Sequence, residues 1–287
     1  MPADTWTVLS AWQFAPAAGI PLAVLAVAYL AGARRAARRR THKAWPAGRA
    51  ASFLGGLAAV ALATQGPPAA YDDVSLPAHM VQHLLLIMIA PPLLIYGRPV
   101  TLALHATRNP WHTRIKRVLR SRVVTAATWP GTGLALYTVV VLGTHLTALL
   151  TARGALHDAE HGAYLLAGYL YFLPVIGSEP IRWRASALGR YLLLFAAMPA
   201  DIVTGAVLLL RGGTGGFSAG DMHAGGLVML AGGELIMAGL ALGLAVAVVH
   251  DADPDPVGPA PATAAPATAG PAIPDPAPAA PQVSDPR

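Results

Sequence analysis

The sequence contains no cysteine and very little charge, with Asp, Glu, Lys and Arg together making up only 12% of its 287 residues. A soluble domain normally carries about 25% charged residues, so this chain has too few to cover a surface facing water. Without cysteine, disulfide bridges and thiolate metal sites are excluded. The 55% of hydrophobic residues and the mean hydropathy of +0.51 indicate that lipid surrounds most of the chain.

Long apolar runs are what the sequence does contain. Seven of them have, or nearly have, the roughly 20 residues that a helix needs to cross the hydrocarbon core. Because lipid cannot satisfy open backbone groups, we predict an all-α, polytopic membrane bundle of seven transmembrane helices. The predicted spans are 12–33, 50–66, 77–97, 129–151, 157–177, 188–210 and 223–249.

The basic residues predict the orientation of this bundle. Eighteen of the 20 Lys and Arg residues lie in segments 33–49, 98–122 and 178–190 or at the C-terminal Arg287, all on one predicted side. Positively charged loops stay in the cytoplasm, so the N-terminus is predicted outside and the C-terminus in the cytoplasm. The basic residues that give the net charge of +6 are therefore expected to face lipid head groups of the bilayer, and no nucleic-acid partner is expected.

The end of the sequence differs sharply in composition. From residue 251 onward Pro and Ala dominate, and such a segment cannot bury a core. We therefore predict a transmembrane domain over residues 1–250 and a disordered cytoplasmic tail over residues 251–287.

Histidine is the unusual polar residue of the predicted spans. Six of the ten histidines fall in the outer halves of four different predicted helices. Two pairs are spaced four residues apart, which places both rings of a pair on one helical face and suits shared metal ligation. The alternative is that single interfacial histidines hydrogen-bond to head groups or neighbouring helices. The candidate ligands are His79, His83, His145, His157, His161 and His223.

Imidazole ligands suit copper and zinc, and a thioether would favour Cu(I). Met80, Met222 and Asp221 are therefore candidate supporting residues, although Met80 points about 100° away from His79 and packing alone explains it at least as well. Two further acids, Asp201 and Glu234, are predicted deep in the membrane. Acids at such depth mark either a functional site or an interhelical hydrogen bond, and both interpretations stay open.

Three segments carry a resemblance to a known family. The segment HMVQHLLLIMIAPPLLIYGRP at 79–99 resembles the signature helix of the CtaG-type cytochrome c oxidase assembly factors. HDAEHGAYLLAGYLYFLPVIG at 157–177 is similar to the second histidine-bearing helix of that family. DMHAGG at 221–226 is similar to its D-Q-x-x-G-G motif, with Met222 where Gln is usual.

This resemblance implies a non-catalytic role in maturing haem–copper oxidases, in which copper is supplied to the oxidase at the outer face of a bacterial-type plasma membrane. It implies cytochrome c oxidase subunits as partners, and an extracytoplasmic copper chaperone is a further expected partner. The residues carried over by position are His79, Gln82, His83, His157, Glu160, His161 and Asp221.

Three other functions remain open from the residues alone. Facing histidines also suit a haem-binding electron-transfer bundle, with haem as the cofactor. The pattern His157-x-x-Glu160-His161 matches an inverted zinc-peptidase motif, in which two histidines hold zinc and the glutamate activates water. A metal transporter would use Asp201 and Glu234 as deeper binding steps below the histidines.

Overall fold

A computed structural model of the chain describes residues 10–39, 44–151 and 153–252. Within these ranges the chain is mostly helical and contains no β-strand, which confirms the all-α prediction. The packing described below belongs to the compact unit formed by residues 1–246. Residues 253–287 lie outside the described residues, so the disordered tail stays a prediction.

The helices follow one another with short connections. In chain order they are α1 (Pro16–Arg39), α2 (Ala47–Gln65), α3 (Pro67–Tyr71), α4 (Leu76–Leu84), a π-helical turn (Leu85–Ile89), α5 (Ala90–Tyr96), α6 (Pro99–Ala106), α7 (Trp111–Leu119), α8 (Arg122–Ala127), α9 (Pro130–His145), a 3₁₀ turn (Ala148–Thr151), α10 (Ala155–Ile176), α11 (Ala187–Leu210) and α12 (Ala219–Ala252).

Five helical segments of the described chain are long and apolar enough to cross a membrane, which indicates a membrane protein. They are Pro16–Arg39, Ala47–Tyr71, Leu76–Ala106, Ala187–Leu210 and Ala219–Val246, and each overlaps one predicted span.

The other two predicted spans correspond to α9 and α10. Helix α9 has 16 residues, about 24 Å of helix. Helix α10 has 22 residues but carries His, Asp and Glu in its first two turns. Seven crossings and their orientation therefore stay predictions.

The π-helical turn after α4 has a cause in the sequence. Pro91 and Pro92 have no backbone N–H, so the carbonyl groups of Ile87 and Met88 lose their usual donors four residues later. The helix widens there, and the N–H of Ala90 donates to the carbonyl of Leu85, five residues back. The Ile87 carbonyl faces Gly168 of α10, where an added Cβ would come within 2.2 Å of the carbonyl oxygen. Only glycine allows these two helices to pack this closely.

Helix α10 lies in the middle of the bundle, in contact with α9, α11, α5 and the π-helical turn. Buried aromatic side chains, among them Tyr137, Tyr164, Tyr171 and Phe172, fill the space between these helices. This arrangement brings the first turns of α10 next to α4, and both of these segments carry a histidine pair.

Candidate metal centre

Four imidazole rings meet where α4 and α10 begin. The ring centroids of His79 and His83 on α4 are 4.2 Å apart, and those of His157 and His161 on α10 are 4.3 Å apart. Across the two helices, His79 lies 5.2 Å from His157, and His83 lies 6.2 Å from His161. Each pair therefore shares one helical face, and the two faces meet. We call these four residues the histidine cluster.

Both helices begin at residues that hold them in place. The hydroxyl of Ser75 accepts a hydrogen bond from the N–H of Ala78 and caps α4. Gly154, with a φ of +62°, precedes α10 in a conformation that side chains rarely adopt. Because α4 and α10 begin at these residues, each histidine pair lies within the first three turns of its helix.

Two carboxylates flank His157. The Oδ2 of Asp72 lies 3.1 Å from its Nε2, and the Oε2 of Glu160 lies 3.6 Å from its Nδ1. Ligand atoms of Asp72, His157 and His161 lie within 4.8 Å of one another, a grouping that could hold a metal ion. Burial raises the pKa of Asp72, but its hydrogen bond to His157 and the charge of that ring outweigh burial and leave the pKa below its usual value.

Unpaired polar atoms are concentrated at this cluster. Buried nitrogen and oxygen atoms normally have a hydrogen-bond partner, because an unpaired one costs about 1–3 kcal/mol. Here Gln82 Oε1, His83 Nε2, His161 Nε2 and Glu160 Oε1 form no hydrogen bond with the described residues, and His157 Nδ1 and Glu160 Oε2 have only each other, as an ion pair at 3.6 Å. These atoms are of the types that bind copper and zinc, so the residues present fit a metal ion.

A second layer of polar residues lies behind His83. The ring of Tyr164 stacks on the His83 ring, with centroids 4.0 Å apart. The Nδ1 of His83 lies 3.3 Å from the Nε2 of His145, and the Tyr164 hydroxyl lies 3.1 Å from the Nδ1 of His145. Gln82 is held by its Nε2, which donates to the carbonyl of Ala63 on α2 at 2.8 Å.

A cavity of about 500 Å³ reaches the two histidines of the cluster that lie on α10. Its wall includes Asp72, Gln82, His157 and His161, and the acidic Asp73 and Asp158 lie along it. Carboxylates and imidazoles therefore line the same cavity, where the negative charge favours a cation.

The structure brings together His79, Gln82, His83, His145, His157, Glu160 and His161 of the predicted site residues. It leaves His223 exposed in the first turn of α12, where it makes none of the ring contacts described above. Asp221 accepts hydrogen bonds from Ser218 before the same helix. Met80 and Met222 are buried in the apolar core.

The deep acids form a separate feature. Asp201 on α11 is fully buried, and both of its oxygens accept from the hydroxyl of Tyr137 on α9, at 3.1 and 3.0 Å. Glu234 on α12 is partly buried, and its Oε1 has no hydrogen-bond partner among the described residues. Asp201 thus makes an interhelical hydrogen bond, which is one of the two roles predicted for it.

Asp72 is the site residue that sequence reasoning missed. It belongs to no motif and lies 85 residues from its partner His157 in sequence. The only signal for Asp72 in the sequence is its position just before α4, the helix that carries His79 and His83.

Comparison with known proteins agrees with the motifs in this site. The model of the cytochrome c oxidase caa3 assembly factor family matches residues 27–251. The chain belongs to this family. All residues of the histidine cluster and both flanking carboxylates lie inside the matched range, so the resemblance predicted from the three motifs is confirmed.

Three curated proteins similar to this chain come from mycobacteria. The chain is 34% identical over 222 residues to "Uncharacterized protein Mb0105" of Mycobacterium bovis and to "Uncharacterized protein MT0111" of Mycobacterium tuberculosis, which covers 73% of this chain and 33% of each relative. It is 31% identical over 211 residues to "Uncharacterized protein ML1998" of Mycobacterium leprae, covering 69% of this chain and 31% of that protein. The aligned region is thus about a third of the length of these relatives. No solved structure matches the chain.

Proposed function

We propose that this protein assists the assembly of a haem–copper cytochrome c oxidase by binding copper at the histidine cluster and passing it to an oxidase subunit. Family membership supports the assembly role. The observation that carries the copper site is the group of buried nitrogen and oxygen atoms of His83, Glu160 and His161 that form no hydrogen bond with any described residue. Such atoms gain partners when a metal ion enters, which offsets the cost of burying them.

The chemistry of the ligands is compatible with copper as the cargo. The chain offers no thiolate, so any metal is held by imidazole nitrogen with carboxylate support. We assign His79, His83, His157 and His161 as the ligand set, with Asp72 at its edge. Imidazole ligands held on two helices can release a metal one bond at a time, which suits delivery to a partner. This role requires no chemical conversion, so we propose a non-enzymatic protein.

The proposed setting is the outer face of a bacterial-type plasma membrane, with seven crossings and the cavity at Asp72 and His161 opening outward. Oxidase subunits are then the acceptors, and an extracytoplasmic copper chaperone is a candidate donor. The acidic residues along the cavity support a cationic cargo, because carboxylates raise the local concentration of cations.

A zinc-dependent hydrolase is the second candidate function. It is favoured by one observation: Asp72 joins His157 and His161 as a third potential ligand, with Glu160 between the two histidines in sequence. In that case Glu160 would activate a water molecule bound to zinc. The identity of the metal separates the two candidates.

The test is metal analysis and an optical spectrum on the purified full chain. The double variant His83→Ala plus His161→Ala is compared with wild type, and His223→Ala is the matched control because that residue is exposed outside the cluster. We expect copper in wild type and in the control, and loss of most of it in the double variant. Unchanged copper in the double variant would contradict the ligand assignment. Zinc in place of copper would favour the hydrolase, and a haem spectrum would favour an electron-transfer protein.

A further inference from the structure

His83 and His145 are joined ring to ring inside the protein. The Nδ1 of His83 lies 3.3 Å from the Nε2 of His145, and both side chains are almost completely buried. In a neutral imidazole one nitrogen carries hydrogen and the other carries the lone pair that binds a metal. The direction of this single hydrogen bond therefore decides which nitrogen of His83 is available as a ligand.

The surroundings of His145 decide that direction. Its Nδ1 lies 2.8 Å from the carbonyl oxygen of Val141, one turn earlier on α9. A carbonyl oxygen only accepts hydrogen bonds, so Nδ1 must carry the hydrogen. Among the described residues no carboxylate contacts the His145 ring, and a buried imidazolium without such a partner is costly. His145 is therefore neutral, and its Nε2 carries a lone pair.

The two hydroxyl groups near His145 are compatible with this arrangement. The Thr144 hydroxyl donates to the carbonyl of Val140 at 2.8 Å, and it also lies within hydrogen-bond distance of the Tyr164 hydroxyl. The Tyr164 O–H can then donate to Thr144. Both oxygens then face His145 Nδ1, at 3.2 and 3.1 Å, with lone pairs, so neither donates a hydrogen bond to that nitrogen in competition with its bond to the Val141 carbonyl.

It follows that the Nδ1–H of His83 donates to the Nε2 of His145. The lone pair of His83 is then on its Nε2, which is buried and has no hydrogen-bond partner among the residues that the structure describes. Stacking against Tyr164, with the ring planes 25° apart, holds the plane of the His83 ring.

We propose that His145 is a positioning residue and not a copper ligand. It holds His83 in the tautomer with hydrogen on Nδ1 and so leaves Nε2 as the ligand atom. The identity of the metal rests on the proposed function, whereas the tautomer is a property of the protein without metal. The outer partner of a metal-binding histidine commonly acts in this way.

The first experiment needs no metal. The full chain is labelled with ¹⁵N-histidine, and the ring nitrogens, which resonate apart when protonated and unprotonated, are recorded by NMR in lipid. The His83 signals are assigned by their loss in His83→Ala. We expect hydrogen on Nδ1 and none on Nε2 of His83. Hydrogen on Nε2 instead would overturn the proposal.

The second experiment separates positioning from ligation. Gln at position 145 keeps an acceptor near the place of Nε2, whereas Leu has a similar size and no acceptor. We expect His145→Leu to weaken copper binding by about 10–100-fold and to mix the His83 tautomers, while His145→Gln keeps both close to wild type. If Gln and Leu both abolish copper binding as fully as His83→Ala, His145 is itself a ligand and the proposal fails. If wild type binds no copper, the proposed function fails while the NMR result still decides the tautomer.

Discussion

The carboxylate of Asp72 and the imidazole of His157 meet at 3.1 Å, although 85 residues separate them in sequence. Asp72 directly follows α3, and His157 lies in the first turn of α10, so this contact joins the end of α3 to the start of α10 at the cavity wall. It places a negative charge at the edge of the histidine cluster, where the incoming ion would be positive.

Asp72→Asn should weaken copper binding by about 10–100-fold, since the amide keeps the size of the side chain and loses its charge. Asp73→Asn is the matched control, because the neighbouring Asp73 is more exposed and pairs with Arg153 at the surface. Copper dissociation constants measured by competition with a chelator check this. Equal weakening in both variants would mean that the general negative charge matters and the contact with His157 does not.

Gly168→Ala should destabilise the bundle by about 1–3 kcal/mol, because the new Cβ would press on the Ile87 carbonyl of the π-helical turn. Gly162→Ala in the same helix is the control, since its Cβ would meet nothing within 4 Å and alanine favours helix by about 1 kcal/mol. Thermal unfolding in detergent measures both. A melting temperature equally unaffected in the two variants would contradict the close helix contact.

The hydrogen bond from Tyr137 to Asp201 should stabilise the packing of α9 on α11 by about 0.6–2 kcal/mol, the range found for polar contacts within membranes. A double-mutant cycle with Tyr137→Phe and Asp201→Asn isolates this energy. We expect the double variant to be less destabilised than the sum of the single variants. Strict additivity would show that the two side chains do not interact.

The seven-crossing topology predicts where reporters fused to truncated chains will lie. Fusions ending after Gly66 and after Gly213 should report an outer location, and one ending after Arg184 should report the cytoplasm. A cytoplasmic signal after Gly66 would reverse the orientation of everything that follows. An outer signal after Arg184 would show that only one of α9 and α10 crosses the membrane.

The long helices and the histidine pairs within them were predictable because they depend on local properties of the sequence. Apolar length identified five helices that match segments of spanning length, and the spacing of four residues predicted that His79 pairs with His83 and His157 with His161. The π-helical turn was not predicted, although its cause, Pro91 and Pro92, is visible in the sequence. In the sequence, Ala90, Pro91 and Pro92 indicate the family resemblance, but they do not by themselves indicate where the helix widens.

The sequence by itself therefore determined the helical class, the family and the two histidine pairs, because periodicity and motif order act within one segment. Only the tertiary structure decided which polar residues meet. It brought Asp72 to His157, placed His145 behind His83 and left His223 exposed outside the cluster. The physical reason is that these contacts depend on how α4, α9 and α10 pack together. That packing is determined by distant features such as the Gly168–Ile87 approach, which no local pattern around the histidines encodes.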